Sequence, residues 1–190
     1  MNKMPSEKTK PRESRLSKTD WLRHGLEALR LYGIKDLNID ALAEYIGVTK
    51  GSFYWHFKDR SDFYKHLIKY WEEELTTSVM ERIIALPGAA DERLKALMEL
   101  VIKEELARYD ADIRAWSVYE EIAEKAVARI DKIRMGFVKS LFKEMGFSKK
   151  EAEIRSRLFY LYIIGEFMIL SNAEERSKHL AEIHKFFTSK

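Results

Sequence analysis

The chain has 190 residues, 46% hydrophobic and 34% charged, a balance that suits a protein folded around its own core in water. Three prolines and eight glycines are too few for the turns of an all-β protein, and the lack of cysteine excludes disulfides and thiolate metal sites and fits an intracellular, cytoplasmic location. The net charge of +3 is uneven: residues 1–60 carry 12 Lys and Arg against 8 Asp and Glu, residues 61–190 carry 22 against 23, so the first third is the part suited to a polyanion.

Long stretches of Glu, Lys, Arg, Leu and Ala point to an all-α fold of about nine helices. Met1 to Ser17 is polar and basic without an apolar h-region, so it reads as a flexible arm (residues 1–16) and not as a secretory signal. Ser17-Lys18-Thr19-Asp20 has the form of a capping box. Trp21, Leu22, Leu26, Leu29 and Tyr32 follow at helical spacing up to Gly33, which suits the left-handed position past a helix end. Asn38 is a good N-cap for a second helix over Ile39 to Ile46, and Thr49 for a third over Lys50 to Phe57. From Asp59-Arg60-Ser61-Asp62 onward, Phe63, Leu67, Trp71, Leu75, Val79 and Ile83 recur every four residues, which predicts one long helix ended by Pro87-Gly88.

Asp91 opens the next helix, with Leu94, Leu97, Met98, Val101 and Ile102 on its apolar face; one or two more cover Asp112 to Met145 before Gly146. Ser148 and Glu151 form the clearest capping box of the chain and open a helix to about Leu170, and Asn172 with Glu175 begins a last one through Phe187. The run Leu158 to Leu170 is the most apolar segment, but its 13 residues include Glu166 and fall short of the ~20 needed to span a bilayer. Being apolar on every side, its helix must be covered on two faces, one by its own domain and one most simply by a second copy of the chain.

The segment Ile39 to Phe57 carries the functional signal. Two short helices that cross steeply need a small residue at the crossing, which Ala43 supplies, and a positive-φ residue at the turn, which Gly47 supplies. Leu42, Ile46, Val48 and Phe53 are apolar where such a pair packs on helix one; position 56, often aliphatic in such motifs, is His, and Phe57 takes the anchoring place. The stretch Val48-Thr49-Lys50-Gly51-Ser52-Phe53-Tyr54-Trp55-His56-Phe57, followed by Lys58-Asp59-Arg60, resembles the DNA-binding domain of the TetR family over about Lys18 to Leu67.

That resemblance implies a helix-turn-helix DNA-binding domain over residues 17–62 and a ligand-binding and dimerisation domain over 63–190. It implies that Lys50, Gly51 and Ser52 face base edges in the major groove, that Thr49, Tyr54, His56 and Arg60 meet phosphates, and that Asn38 does the same at the second helix. Taken as plain residues, Tyr54 and Trp55 equally suit a core, His56 a hydrogen bond to a neighbouring helix, and Lys50 and Arg60 a solvated surface. The resemblance also implies a homodimer through the last two helices, a palindromic double-stranded DNA operator, and a small-molecule effector that releases the repressor. Trp71, Met98, Trp116, Tyr119, Phe137 and Tyr160 are candidate linings for its pocket, with Arg114, Glu120 or Glu166 as polar anchors.

No enzymatic centre assembles from the sequence: there is no Gly-rich phosphate loop, and His179 and His184 stand five apart, which misses a shared helix face. The Glu72-Glu73-Glu74 run reads as a solvated face, and no cofactor is expected. The alternative on the same fold is a DNA-binding architectural or cell-division factor without an inducer. An enclosed cavity in the C-terminal part would favour the repressor, a filled core the alternative.

Overall fold

A computed structural model describes residues 16–169 and 172–190, and among these every regular element is helical. The N-terminal part holds α1 (Lys18–Asp36), α2 (Ile39–Ile46), α3 (Lys50–His56) and α4 (Arg60–Glu72). A π turn (Glu73–Thr77) joins α4 to α5 (Ser78–Ile84) without a break, and α6 (Ala90–Lys103), a 3₁₀ turn (Leu106–Tyr109), α7 (Asp110–Ser117) and α8 (Glu121–Glu144) follow. The chain then forms α9 (Lys149–Ile169), α10 (Ala173–Ser177) and α11 (Leu180–Thr188). Residues 1–15, nearly all of the expected arm, and residues 170 and 171, at the end of the apolar run, lie outside the described residues.

The caps explain most of the boundaries. Ser17 Oγ accepts the Asp20 N–H at 3.1 Å while the Asp20 carboxylate accepts the Ser17 N–H at 3.0 Å, the reciprocal pair expected of a capping box. Ser148 and Glu151 repeat it at the head of α9. Asn38 caps α2 by accepting from Ala41 N–H at 2.8 Å, and Asp59 caps α4 by accepting from Asp62 N–H at 2.8 Å. Thr49 stands at the cap position of α3, but its side chain makes no capping bond, so α3 is held by packing and not by its cap. Gly33 takes φ +70° as a kink three residues before the end of α1, which runs on to Asp36.

Two predicted helices are modified, each for a visible reason. The long helix from residue 60 widens into the π turn because Arg134 of α8 reaches into it. Its guanidinium donates to the Leu75 carbonyl at 3.1 Å and to Thr76 Oγ1 at 2.9 Å, and pairs with the Asp110 carboxylate. The last helix breaks at His179, which leaves helical geometry and turns the chain so that Arg176 on one piece and Leu180 and Phe187 on the other are all buried.

The buried side chains form two clusters. The first gathers Trp21, Leu26, Leu29, Leu42, Phe53, Phe57, Phe63 and Leu67 of α1–α4 together with Ile113 and Trp116 of α7 and Ala123, Ala126 and Ile130 of α8. The second joins Val79, Leu94, Met98, Val138, Phe142, Phe159, Ile163 and Phe187 from α5 to α11. The apolar core therefore does not divide at residue 62: α7 and the front half of α8 complete the packing of the first three helices.

Arg134 and Asp110 sit where the two clusters meet. Asp110 is 1% exposed, accepts the Trp71 indole N–H at 3.0 Å, and faces Arg134, whose cation also lies over the Trp71 ring at 5.5 Å. Burial disfavours the guanidinium charge, yet Asp110 and Tyr160 together outweigh this and raise the Arg134 pKa above its ordinary value. Removing one partner strands a buried charge, so Arg134→Met or Asp110→Leu should each destabilise the protein by about 3–5 kcal/mol in urea denaturation. The double variant should cost clearly less than the sum of the two, since it leaves neither charge alone. Additive losses would show that the pair does not act as a unit.

Candidate nucleic-acid interface

The unit α1–α3 is built so that one side of α3 is core and the other is open. Phe53 is fully buried against Trp21, Phe57 and Phe63, with ring centroids 5.0–5.5 Å apart around the group. Ala43 is buried at the α2–α3 crossing, and Gly47 turns the chain at φ +78°, ψ +31°, the left-handed conformation the motif requires.

On the open side the structure brings together Lys50, Gly51, Tyr54 and Trp55, all exposed, with Ser52 half-buried. Trp55 is 73% exposed and Tyr54 53%, so neither is a core aromatic; Tyr54 keeps an edge-on contact with Phe53 at 5.4 Å. Lys50 Nζ donates to Asp40 of α2 at 2.9 Å, and that carboxylate raises the ammonium pKa further above neutrality. Both groups are largely in water, so the pair holds Lys50 only loosely and leaves it free to exchange partners.

The other candidates flank α3. Arg60, at the first turn of α4, donates to the Tyr64 hydroxyl at 2.5 Å and toward the Ile34 carbonyl at 3.5 Å, and stacks on the Tyr64 ring. Tyr64 is fixed in turn by donating to the Leu37 carbonyl at 2.9 Å. Burial raises the Tyr64 pKa, and the Arg60 cation partly opposes that rise. His56 is half-buried, and its Nε2 lies 2.8 Å from the Leu16 carbonyl oxygen; a carbonyl only accepts, so the imidazole donates here. Asn38 and Thr49 are exposed, Asn38 with its side-chain oxygen engaged in the α2 cap.

The residues proposed from sequence for a ligand pocket do not gather at one place. Phe137 and Tyr160 line a cavity of about 60 Å³ between the π turn, α5, α6, α8 and α9, together with Val79, Leu97, Ile163 and the Asp110–Arg134 pair. Arg114 stands beside it, donating to both Asp131 oxygens at 2.5 and 3.0 Å and to the Tyr160 hydroxyl at 2.9 Å. Burial pushes the Tyr160 phenol well above its usual pKa, so it stays protonated. Trp71, Met98 and Trp116 are packed core residues, Trp71 meeting the cavity wall through Asp110 and Arg134. Tyr119 is 67% exposed, on the surface beside Lys35, with Glu120 in the same groove, while Glu166 is half-buried on α9 with its pKa raised by burial.

Asp110 and Arg134 escaped the sequence reading. The signal was there: Ala126, Ile130, Arg134, Val138 and Phe142 fall at strict four-residue spacing, so Arg134 is a cation placed within a buried stripe.

Residues 22–67 match the sequence profile described as bacterial regulatory proteins, tetR family. Over 78 residues the chain is 33% identical to the HTH-type transcriptional regulator AcrR of Shigella flexneri, a match spanning 40% of this chain and 35% of AcrR. The chain thus matches only about a third of the length of that relative. In three dimensions it is similar to a TetR transcription regulator from Haloarcula marismortui (TM-score 0.71, 17% identity, 90% of this chain and 96% of that one). It is also similar to the fatty acid degradation regulator FadR from Bacillus halodurans (TM-score 0.65, 11% identity, 96% and 97% covered).

The split between the two faces of α3 has a direct consequence for stability. Phe53→Ala should cost about 3–5 kcal/mol in thermal or urea denaturation, whereas Trp55→Ala should cost well under half of that. An equal loss for both would mean that the aromatic face of α3 is structural. The matched profile of the tetR family of bacterial regulatory proteins covers residues 22–67, the part that holds the helix-turn-helix geometry, and the chain shares its fold with the Haloarcula marismortui regulator over 90% of its length.

Proposed function

We propose that the chain is a dimeric, sequence-specific DNA-binding repressor, non-enzymatic, that a small molecule releases from a palindromic operator. The observation that carries this reading is α3: a helix anchored by fully buried Phe53 and Phe57 that turns Lys50, Gly51, Tyr54 and Trp55 outward. In this reading Lys50, Gly51 and Ser52 meet base edges, and Thr49, Tyr54, His56, Arg60 and Asn38 meet phosphates. Residues 17–62 form the reader and residues 63–190 the sensing and dimerising part.

The dimer reading rests on α9. Its inward side is Ala152, Ser156, Phe159, Tyr160 and Ile163, while Ile154, Leu158, Leu161, Met168 and Ile169 stand 50–81% exposed on the other, with Phe186 of α11 beside them at 74%. Such a continuous apolar stripe is what a second copy would cover. A two-fold dimer built this way would present two α3 helices to half-sites about one helical turn apart, or a multiple of it.

The effector reading rests on the cavity. At about 60 Å³ it is far smaller than the roughly 300–1,000 Å³ of a site for a drug-sized molecule. A ligand would therefore have to displace its walls, and binding would be coupled to movement of the helices that bear Phe137, Tyr160 and Val79. Its walls are mostly apolar with the Asp110–Arg134 pair at one side, which suits an amphiphilic molecule; the FadR likeness is compatible with a fatty-acid derivative. The small volume also favours a second reading, a DNA-binding factor without inducer, and a ligand that lowers operator affinity in titration decides between the two. No helix among the described residues is long and apolar enough to cross a membrane, and we place the protein in the cytoplasm.

Selection from random duplexes should enrich a palindrome; a single non-palindromic motif would count against the dimeric reader. Leu161→Asp should convert the dimer to monomer in sedimentation at micromolar concentration, by burying a charge in an interface expected to cover roughly 1,600 Å². Lys50→Ala should relax one operator position at a cost of about 1–3 kcal/mol, whereas Arg60→Ala should weaken binding to all sequences alike. Exchange of those two patterns would reverse the assigned roles.

A further inference from the structure

The open side of α3 holds two features that the fold itself does not require. Trp55 stands 73% exposed, which leaves most of a large apolar ring system in water. Gly51 lies inside the helix, where glycine is a poorer helix former than alanine. A β-carbon placed there would meet only Thr49 Oγ1, at 3.8 Å, an ordinary contact. Gly25 of α1 is the opposite case, since a β-carbon there would stand 2.7 Å from the buried Phe63 ring. Packing explains Gly25 and does not explain Gly51.

The two features adjoin. Residues three and four apart share one side of a helix, so Gly51 and Ser52 are the neighbours of Trp55 one turn earlier. Helical side chains lean toward the N-terminus of their helix. The indole therefore leans toward a residue with no side chain and one with a hydroxymethyl group alone. Lys50, one residue earlier, reaches toward Asp40 of α2 at 2.9 Å. The sequence thus leaves a notch at Gly51 with an aromatic ring at its edge, on the side of α3 that faces away from Phe53 and the core.

We propose that Trp55 is a specificity-determining residue that packs its ring on the C5-methyl group of a thymine, and that Gly51 lets the backbone of α3 come close enough for that contact. The proposal rests on the DNA-binding reading above, which turns Lys50, Gly51 and Ser52 toward base edges, and adds an apolar contact to that polar set. Trp55 lies about 6 Å further along the helix axis than Gly51, on the same side. Of the four bases only thymine presents an apolar group on its major-groove edge. An indole carries one donor and no acceptor. It has nothing to offer the amino group of cytosine or adenine, and pressing it on either would leave that donor without a partner. A phosphate would use the indole N–H alone and leave the rest of the ring in water.

The test uses the full-length chain and the palindromic duplex it selects from a random library. Each thymine of a half-site is replaced in turn by deoxyuridine, symmetrically in both halves, which removes the methyl group and leaves every hydrogen-bonding group in place. At one position the affinity should fall about fourfold per methyl removed, the worth of one buried methylene, and so roughly fifteenfold for the two half-sites together. Trp55→Ala should bind the thymine and deoxyuridine duplexes equally. Trp55→Phe, which keeps an apolar ring and loses the N–H, should keep part of the difference. Gly51→Ala should lower affinity for the selected duplex with an unfolding temperature no lower than that of the unmodified chain, because the fold has room for the β-carbon.

A selected palindrome in which no change of thymine to deoxyuridine alters affinity would overturn the methyl contact and leave the DNA-binding reading intact. Full discrimination retained by Trp55→Ala would remove Trp55 from the role. Equal, sequence-independent losses in Trp55→Ala and Trp55→Phe would replace the methyl contact by an indole N–H bond to phosphate. Undiminished binding by Gly51→Ala would overturn the close approach. If the unmodified chain selects no duplex at all, the regulator reading falls and the thymine contact falls with it.

Discussion

The ion pair between Arg134 and Asp110 is the constraint around which the rest of the chain is arranged. A guanidinium and a carboxylate taken from water are tolerable only if nearly every donor and acceptor finds a partner. Here the partners come from four elements: the Leu75 carbonyl and Thr76 hydroxyl of the π turn, the Trp71 indole of α4, Asp110 at the head of α7, and Arg134 itself on α8. The π turn follows from this demand, since a regular α-helix would keep the Leu75 carbonyl for its own ladder. The pair also supplies the charged side of the cavity beside it, whose other walls are mostly apolar. One electrostatic requirement thus shapes the backbone of the long helix, the junction of the two apolar clusters and the polar side of the cavity.

The reader is arranged on a different principle. Nothing in α3 is held by a side-chain cap; its position comes from Phe53 and Phe57 packed among Trp21 and Phe63. Seven residues are too short for a helix to persist alone, so tertiary packing must supply its order. Among the outward side chains, Lys50 is held only by a loose pair with Asp40, which water already weakens.

Much of this was legible in the sequence because local chemistry decides it. Ser17 with Asp20, Asn38, Asp59 and Ser148 with Glu151 are caps whose partners lie within four residues, and each forms as its residues suggest. Gly47 adopts the positive φ that its place between two short helices calls for. What escaped depends on partners far along the chain. The π turn at residues 73–77 requires Arg134, some sixty residues later, and the break at His179 follows from the burial of Arg176 and Leu180 against elements that local periodicity cannot weigh. The aromatic residues show the same limit. Trp71, Trp116, Tyr119 and Tyr160 all sit at helical spacing, and only the packing of α4, α7, α8 and α9 separates core from surface and from cavity wall.

The completion of the first core by α7 bears on modularity. Tyr64 of α4 meets Trp116 of α7 with ring centroids 5.0 Å apart, and Trp116, Ile113 and Ala123 belong to the same buried cluster as Trp21 and Phe53. The helix-turn-helix is therefore not a cassette that can be cut out at its sequence boundary and spliced onto a foreign sensor. A transplant ending near residue 62 would expose the flank that α7 covers, and the graft would have to bring an equivalent helix of its own. A chimera that replaced the part after residue 62 would fold only when the incoming part supplied a matching aromatic lid.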